Sequence, residues 1–99
     1  MKEIKPEEVS KRMKSKVPVS IIDVREDEEV AEGMIPGARH IPLGELPNHL
    51  DEIDSSKEHI MVCRSGGRSG KASEFLEEQG YDVRNMVGGM LDWKGDLKK

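Results

Sequence analysis

Of the 99 residues, one has surroundings suited to nucleophilic chemistry: Cys63, the only cysteine. It follows the apolar run His59-Ile60-Met61-Val62 and opens the segment Arg64-Ser65-Gly66-Gly67-Arg68-Ser69. Two adjacent glycines let the backbone curl, so that its N–H groups converge. A helix starting near Ser69 directs its unpaired N–H groups and the positive end of its dipole to the same point. Arg64 and Arg68 add full positive charge. These surroundings favour thiolate over thiol, which predicts a Cys63 pKa below the ordinary value. A group bonded to that sulfur also lies in an anion-binding cradle. The outer sulfur of a persulfide is such a group, because it ionises readily and stays nucleophilic.

Blander readings compete with this one. Free cysteines are often inert and buried at strand ends. Here glycines and two arginines follow at once, a composition that packs poorly and recognises anions well. A phosphate- or nucleotide-binding loop is a second alternative, but the segment lacks the Gly-x-x-x-x-Gly-Lys-Ser/Thr pattern. His40, His49, His59 and Cys63 match no standard zinc spacing, so no metal is expected. His59 reads as a satisfied or partly exposed strand residue, Trp93 as a core plug, and Met61, Met86 and Met90 as core filler.

The elements that must position Cys63 follow an α/β pattern. A helix begins near Pro6, with Glu7 and Glu8 in its first turn and Val9 and Met13 on its buried face. Val19 to Val24 is a strand, with Pro18 at or before its start. Its nearly continuous apolar run predicts cover on both faces, as in a parallel sheet. Glu26 to Glu32 is a short acidic helix closed by Gly33, and Glu26-Asp27-Glu28-Glu29 reads as its solvated start. A Pro36-Gly37 turn leads to a very short edge strand, His40-Ile41-Pro42. Leu43, Leu46, Leu50 and Ile53 imply a helix or two short turns limited by Pro47. His59 to Val62 is a buried strand that ends at Cys63, where ligands of open α/β sheets bind. Ser69 to Gln79 is a helix with Ala72, Phe75 and Leu76 on its apolar stripe, stopped by Gly80. Asp82 to Val87 is the last strand, and Gly88-Gly89 turns into a final short helix carrying Leu91 and Trp93.

Composition sets outer bounds. The length predicts a single domain, residues 1–99, with one compact core. Hydrophobic residues make up 34% and charged residues 36%, and Trp93, Tyr81 and Phe75 are the only aromatics, so the core leans on Ile, Val, Leu and Met. A net charge of −4 disfavours nucleic-acid and anionic-membrane partners. No stretch reaches transmembrane length and the N-terminus lacks an apolar signal region, which predicts a cytoplasmic protein. A lone cysteine agrees with a reducing compartment. A monomer is expected.

At these residues the chain resembles the rhodanese family, specifically its single-domain sulfurtransferases. Cys63-Arg64-Ser65-Gly66-Gly67-Arg68-Ser69 is similar to that family's active-site loop. Ile22-Asp23-Val24-Arg25-Glu26 is similar to its strand-end motif. Gly33-Met34-Ile35-Pro36-Gly37-Ala38 with Ile41-Pro42 is similar to its second motif, and Gly88-Gly89-Met90-Leu91-Asp92-Trp93 to its closing motif. The match runs from about Ile4 to Lys94 in the family's order. Met34 stands where many members have histidine, His40 where many have asparagine, and Gly67 at a variable loop position expected to be flexible.

The resemblance implies a central, mainly parallel five-stranded sheet with helices on both faces. It implies a two-step reaction in which Cys63 takes sulfur from thiosulfate or a persulfide and passes it to a thiol, cyanide or protein acceptor, with no cofactor. Backbone N–H groups of residues 64 to 69 would hold the persulfide. Arg68 would bind the substrate anion and steady the loop, Ser65 and Ser69 would add hydrogen bonds, and Asp23 and Arg25 would support the loop. A non-catalytic sulfur carrier or partner-binding module remains an alternative. A cysteine-dependent phosphatase is a weaker one, because related phosphatases place one more residue between cysteine and arginine, and this loop contains no general acid.

Overall fold

The apolar runs read as strands form the middle of one sheet. In the computed structural model, which describes residues 1–99, ten elements alternate along the chain. They are β1 (Lys2–Ile4), α1 (Pro6–Lys14), β2 (Ser20–Asp23), α2 (Asp27–Ala31), β3 (Arg39–His40), a 3-10 segment (Leu43–Glu52), β4 (Glu58–Val62), α3 (Gly67–Glu78), β5 (Asp82–Met86) and a 3-10 turn (Gly89–Asp92). The sheet order is β1-β5-β4-β2-β3, and every pairing is parallel. This is the α/β fold that the resemblance implies, with the mainly parallel sheet now wholly parallel.

Successive residues of a strand point to opposite faces. Ile22 and Met61 therefore face one way and Ile21 and Ile60 the other, and each face carries its own core. On the first, Ile22, Val24, Met61 and Val83 pack with Ala72 and Leu76 of α3 and with Leu46 and Ile53. On the second, Ile21, Ile60, Val62 and Met86 pack with Val9 of α1 and with Ile35, and Trp93 closes over them half-buried. β4 lies at the centre, so its carboxyl end, and Cys63 after it, is fixed by neighbours on both sides. No helix is long and apolar enough to cross a membrane.

Several elements differ from expectation. β1 was not delineated in the sequence, because Lys2 and Glu3 are exposed and only Ile4 is buried. The edge strand is Arg39–His40 rather than His40 to Pro42, since Pro42 has no N–H to give a ladder. Pro47 lies inside the 3-10 segment, and the non-helical break falls at His49. α3 starts at Gly67, two residues early, because Gly66 takes a left-handed conformation (φ 104°) that caps it. Gly67 is therefore helical rather than a free loop residue. Trp93 lies just past the last turn. Beyond the region of resemblance, Lys98 bridges Met34 in antiparallel fashion, with N–O distances of 3.0 and 2.8 Å.

Leu76 is fully buried between α3 and the sheet. Leu76→Ala should lower stability by about 3 kcal/mol, measured as a reduced midpoint in urea denaturation with an unchanged slope.

Candidate active site

Cys63 leaves β4 where the chain must turn its carbonyl groups away from the sulfur. The Cys63 carbonyl accepts the Met90 N–H (2.9 Å), and the Arg64 carbonyl accepts the Leu91 N–H (3.0 Å). The 3-10 turn thus holds the first two carbonyls of the loop from behind. Only glycine fits at position 89. It has φ 56°, and a Cβ there would lie 2.5 Å from both carbonyl oxygens. Gly88-Gly89, read as a turn in the sequence, is the clamp under Cys63.

With those carbonyls engaged, the loop presents donors to Sγ. The Gly66 N–H donates at 3.0 Å, and the Ser69 hydroxyl lies at 3.3 Å. Cys63 is only 1% exposed, and burial pushes its thiol pKa up. Against this, the Ser69 hydroxyl and the backbone N–H groups of Ser69, Gly66 and Ser65 stabilise the thiolate and together prevail, so the pKa lies below the ordinary value. A cysteine buried only among apolar side chains would be shifted the other way.

The two loop arginines have different situations. Arg68 makes a bidentate pair with Glu29 of α2, at 2.6 and 2.7 Å. That pairing raises the pKa of Arg68 and holds the Glu29 carboxyl down at about 2. Glu29 also accepts the Glu26 N–H at 3.0 Å. The acidic run is therefore not uniformly solvated: Glu26, Asp27 and Glu28 are exposed, but Glu29 is half-buried and engaged. Arg64 is exposed and enters no ion pair. Ser65 is exposed as well, and Gly67 has open space around its Cα.

Asp23 and Arg25 are both buried, and their side-chain hydrogen bonds go to each other and to the α2 region rather than to the loop. Asp23 accepts from the Arg25 Nε (3.0 Å), Nη2 (2.8 Å) and backbone N–H (3.0 Å). Arg25 Nη2 also donates to the Gly33 carbonyl at 2.9 Å, and Nη1 reaches the Glu29 carbonyl at 3.4 Å. The pair ties the end of β2 to Glu29 in the middle of α2 and to Gly33 just past it, and the Glu29 side chain pairs with Arg68. His40 Nε2 meets the Arg25 carbonyl at 2.7 Å.

Asn85 of β5 was overlooked in the sequence. It is buried, donates from Nδ2 to the Gly66 carbonyl (3.1 Å), and accepts the Ser69 hydroxyl at Oδ1. The available signal was a lone amide in the otherwise apolar register of a strand beside β4. His59 engages Ser20 at one ring nitrogen (2.6 Å) and the Asp54 carbonyl at the other (2.7 Å). His49 pairs with Glu52. A concavity of about 730 Å³ lies elsewhere, between α1 and the C-terminal segment, lined by Pro6, Lys11, Trp93 and Asp96 among others. It includes no residue of the Cys63 loop.

The chain is similar to known proteins along almost its whole length. A family model described as a rhodanese-like domain matches residues 5–96. YtwF of Bacillus subtilis is 44% identical over 98 residues, covering 99% of this chain and 95% of YtwF. A protein of Allochromatium vinosum named sulfurtransferase is 38% identical over 92 residues, covering 92% of this chain and 86% of that protein. The crystal structure of a rhodanese-like domain protein from Staphylococcus aureus matches with a TM-score of 0.95 at 39% identity, covering 99% of this chain and 97% of that one.

Gly89→Ala should cost about 3 kcal/mol of stability and slow alkylation of Cys63, read by denaturation and by thiol labelling. Glu29 has a depressed folded pKa, so its pairing contributes fully above the unfolded value of about 4.3 and is lost as pH falls through about 2. Glu29→Gln should therefore be less stable than the parent at neutral pH, by about 1 kcal/mol after solvent screening. Urea denaturation at several pH values should show that gap closing as pH falls from about 5 to about 2.

Proposed function

The chain belongs to the rhodanese-like domain family, and from that premise we propose that it is a sulfurtransferase working through a persulfide on Cys63. The observation that carries the reading is the set of N–H and hydroxyl donors converging on one buried sulfur. Such a cradle stabilises negative charge on Sγ and on an atom bonded to it.

In the first step the Cys63 thiolate attacks the outer sulfur of thiosulfate or of a persulfide. The sulfur–sulfur bond of the donor breaks, and its electron pair leaves with sulfite or with the donor thiolate. The new outer sulfur on Cys63 carries the negative charge. In the second step a thiolate, cyanide or a protein cysteine attacks that outer sulfur. The Sγ–S bond breaks and its electron pair returns to Sγ, restoring the thiolate. Electron pairs balance within the two steps, so the reaction calls on no cofactor. With no second cysteine in the chain, the acceptor is another molecule.

The arginines divide the labour. Arg68, held by Glu29, steadies the loop and adds positive potential. Arg64, exposed and unpaired, receives the oxygens of an anionic donor. This moves the anion-recognition role that the family resemblance gives to Arg68 onto its neighbour. Ser65, Gly66, Gly67 and Ser69 provide the cradle. A carrier and an enzyme share the same persulfide and differ in turnover.

Incubation with thiosulfate should add one sulfur atom to the intact mass, and cyanide should remove it with release of thiocyanate. Cys63→Ser should show no adduct. Arg64→Ala should raise the KM for thiosulfate about tenfold, the loss of one charge-assisted contact, with stability unchanged. A stable adduct without steady turnover would assign the carrier role. No adduct from thiosulfate or any persulfide, together with Cys63-dependent hydrolysis of an aryl phosphate, overturns the reading.

A further inference from the structure

Ser69 has one hydroxyl proton and two acceptors. Its Oγ lies 3.3 Å from Cys63 Sγ and within hydrogen-bond distance of Asn85 Oδ1. The Asn85 amide is fixed from its other end. The Gly66 carbonyl can only accept, so the atom facing it at 3.1 Å is Nδ2, and the oxygen faces Ser69. Asn85 and Ser69 are both buried, and Oδ1 has no second donor. Whichever acceptor the hydroxyl leaves is left short of a hydrogen bond in a buried place.

We propose that Asn85 is a positioning residue for Cys63, the alternative acceptor that takes the Ser69 proton whenever Sγ is uncharged and yields it when Sγ is a thiolate. Sγ is uncharged in two states, the thiol and, on the sulfurtransferase reading on which this half rests, the persulfide. In the persulfide the charge lies on the outer sulfur, before the backbone N–H groups, and the hydroxyl turns back to Asn85. When the acceptor breaks the Sγ–S bond, charge returns to Sγ and the hydroxyl rotates to meet it. No proton leaves Ser69, and Asn85 forms no bond to sulfur. The hydroxyl is the part of the cradle that can rotate, because the other donors are backbone N–H groups.

Asn85 also shares the Gly66 carbonyl with the Gly70 N–H, which donates to it at 3.0 Å. The same side chain therefore anchors the residue whose N–H meets Sγ and orients the hydroxyl that meets Sγ. A cavity-filling asparagine would need neither alignment.

The charges around Cys63 are known by element. The loop contributes Arg64 and Arg68, α2 contributes Glu29 paired to Arg68, and the end of β2 contributes the Asp23–Arg25 pair. The closing 3-10 turn contributes Asp92, beside Gly88, and β3 contributes His40 on the Arg25 carbonyl. β5 presents only the neutral Asn85 beside the loop. Carboxylates and arginines ordinarily titrate far from a thiol, which leaves His40 and the α-amino group of Met1, whose side chain reaches Gly70 beside Asn85, as the groups to be separated from Cys63.

The test uses the full chain in solution. The side-chain amide resonances of Asn85 should move with pH at the same midpoint as the alkylation rate of Cys63. That movement should vanish in Cys63→Ser and in Ser69→Ala, whereas a movement caused by His40 or by the Met1 amine would persist in both. In protein loaded with sulfur by thiosulfate, the amide should keep its thiol-state position across the titration. Invariant Asn85 resonances, or movement that survives Ser69→Ala, overturn the proposal. If the protein takes up no sulfur while the thiol titration is still felt at Asn85, the sulfurtransferase reading fails and the positioning role stands. If sulfur is taken up and Asn85 does not respond, the reverse holds.

A double-mutant cycle gives a second readout. Asn85→Leu removes the alternative acceptor and the anchor on Gly66 together, and only the first depends on Ser69. The change it makes in the Cys63 midpoint should be more negative in the Ser69 background than in Ser69→Ala, by about half a pH unit or about threefold in thiolate ratio. Additive effects overturn the proposal. If Asn85→Leu fails to fold, the resonance titration of the unmodified chain still decides.

Discussion

A buried sulfur whose pKa nevertheless lies below the ordinary thiol value sets the terms for this fold. Burial alone would keep Cys63 protonated. The loop must therefore supply donors, and a chain turning tightly enough to aim successive N–H groups inward drives its carbonyls outward. Those carbonyls need partners of their own. The final 3-10 turn supplies two of them through the N–H groups of Met90 and Leu91, and it comes close enough only because Gly89 has no side chain. The closing motif and the loop, 26 residues apart in sequence between Cys63 and Gly89, form one structure. Neither makes physical sense without the other.

The same constraint separates residues of identical type. Arg64 and Arg68 lie four positions apart in one loop. Arg68 is paired with Glu29 of α2, whereas Arg64 is exposed and enters no ion pair. A cation already in a bidentate pair gives less net charge to a ligand than a free one does, so proximity in sequence does not make them equivalent. The pairing of Arg68 in turn explains why α2 needs support. Asp23 and Arg25 fix the α2 region to the end of β2, and Glu29 transmits that fixity to the loop. A buried ion pair of this kind is weak evidence for stability as such. Its value here is that it sets the position of a second ion pair, Arg68–Glu29, near Cys63.

Much of this was legible from residue types. Apolar runs marked β2 and β4, the segment after Gly80 reads as β5, and the cysteine with its glycines marked the loop. What escaped notice was long-range or polar. β1 is an edge strand with one buried residue, and its signal in three residues is a single isoleucine. Glu29 sat in an acidic run, where the general preference of charge for solvent concealed one side chain with a partner 39 residues away. Asn85 sits in a strand where an apolar residue would pack, and its reason lies in the loop, not in β5. Gly89 reads as an ordinary turn until the carbonyls it must admit are in place. The elements follow from local pattern. Partners across the sheet follow from topology, which local pattern does not contain.

A relay atom makes a demand that a permanently charged site does not. In the proposed sulfur transfer through Cys63, the charge would sit on Sγ, move one bond outward, and return. Backbone N–H groups suit an anion-binding cradle because they are rigid, and rigidity means that they cannot follow the charge. A cradle built only of them would have to favour one location or compromise between the two. A hydroxyl beside the inner sulfur avoids that choice, because it turns about one bond at small cost, provided that something accepts its proton when the sulfur does not. The chain meets this need with neutral groups. An acidic partner in place of the amide would add a negative charge beside the thiolate and oppose its formation. An amide accepts equally well without that penalty, and its second end anchors the loop. On that proposal, the residue types at 69 and 85 answer to the movement of charge as much as to its presence.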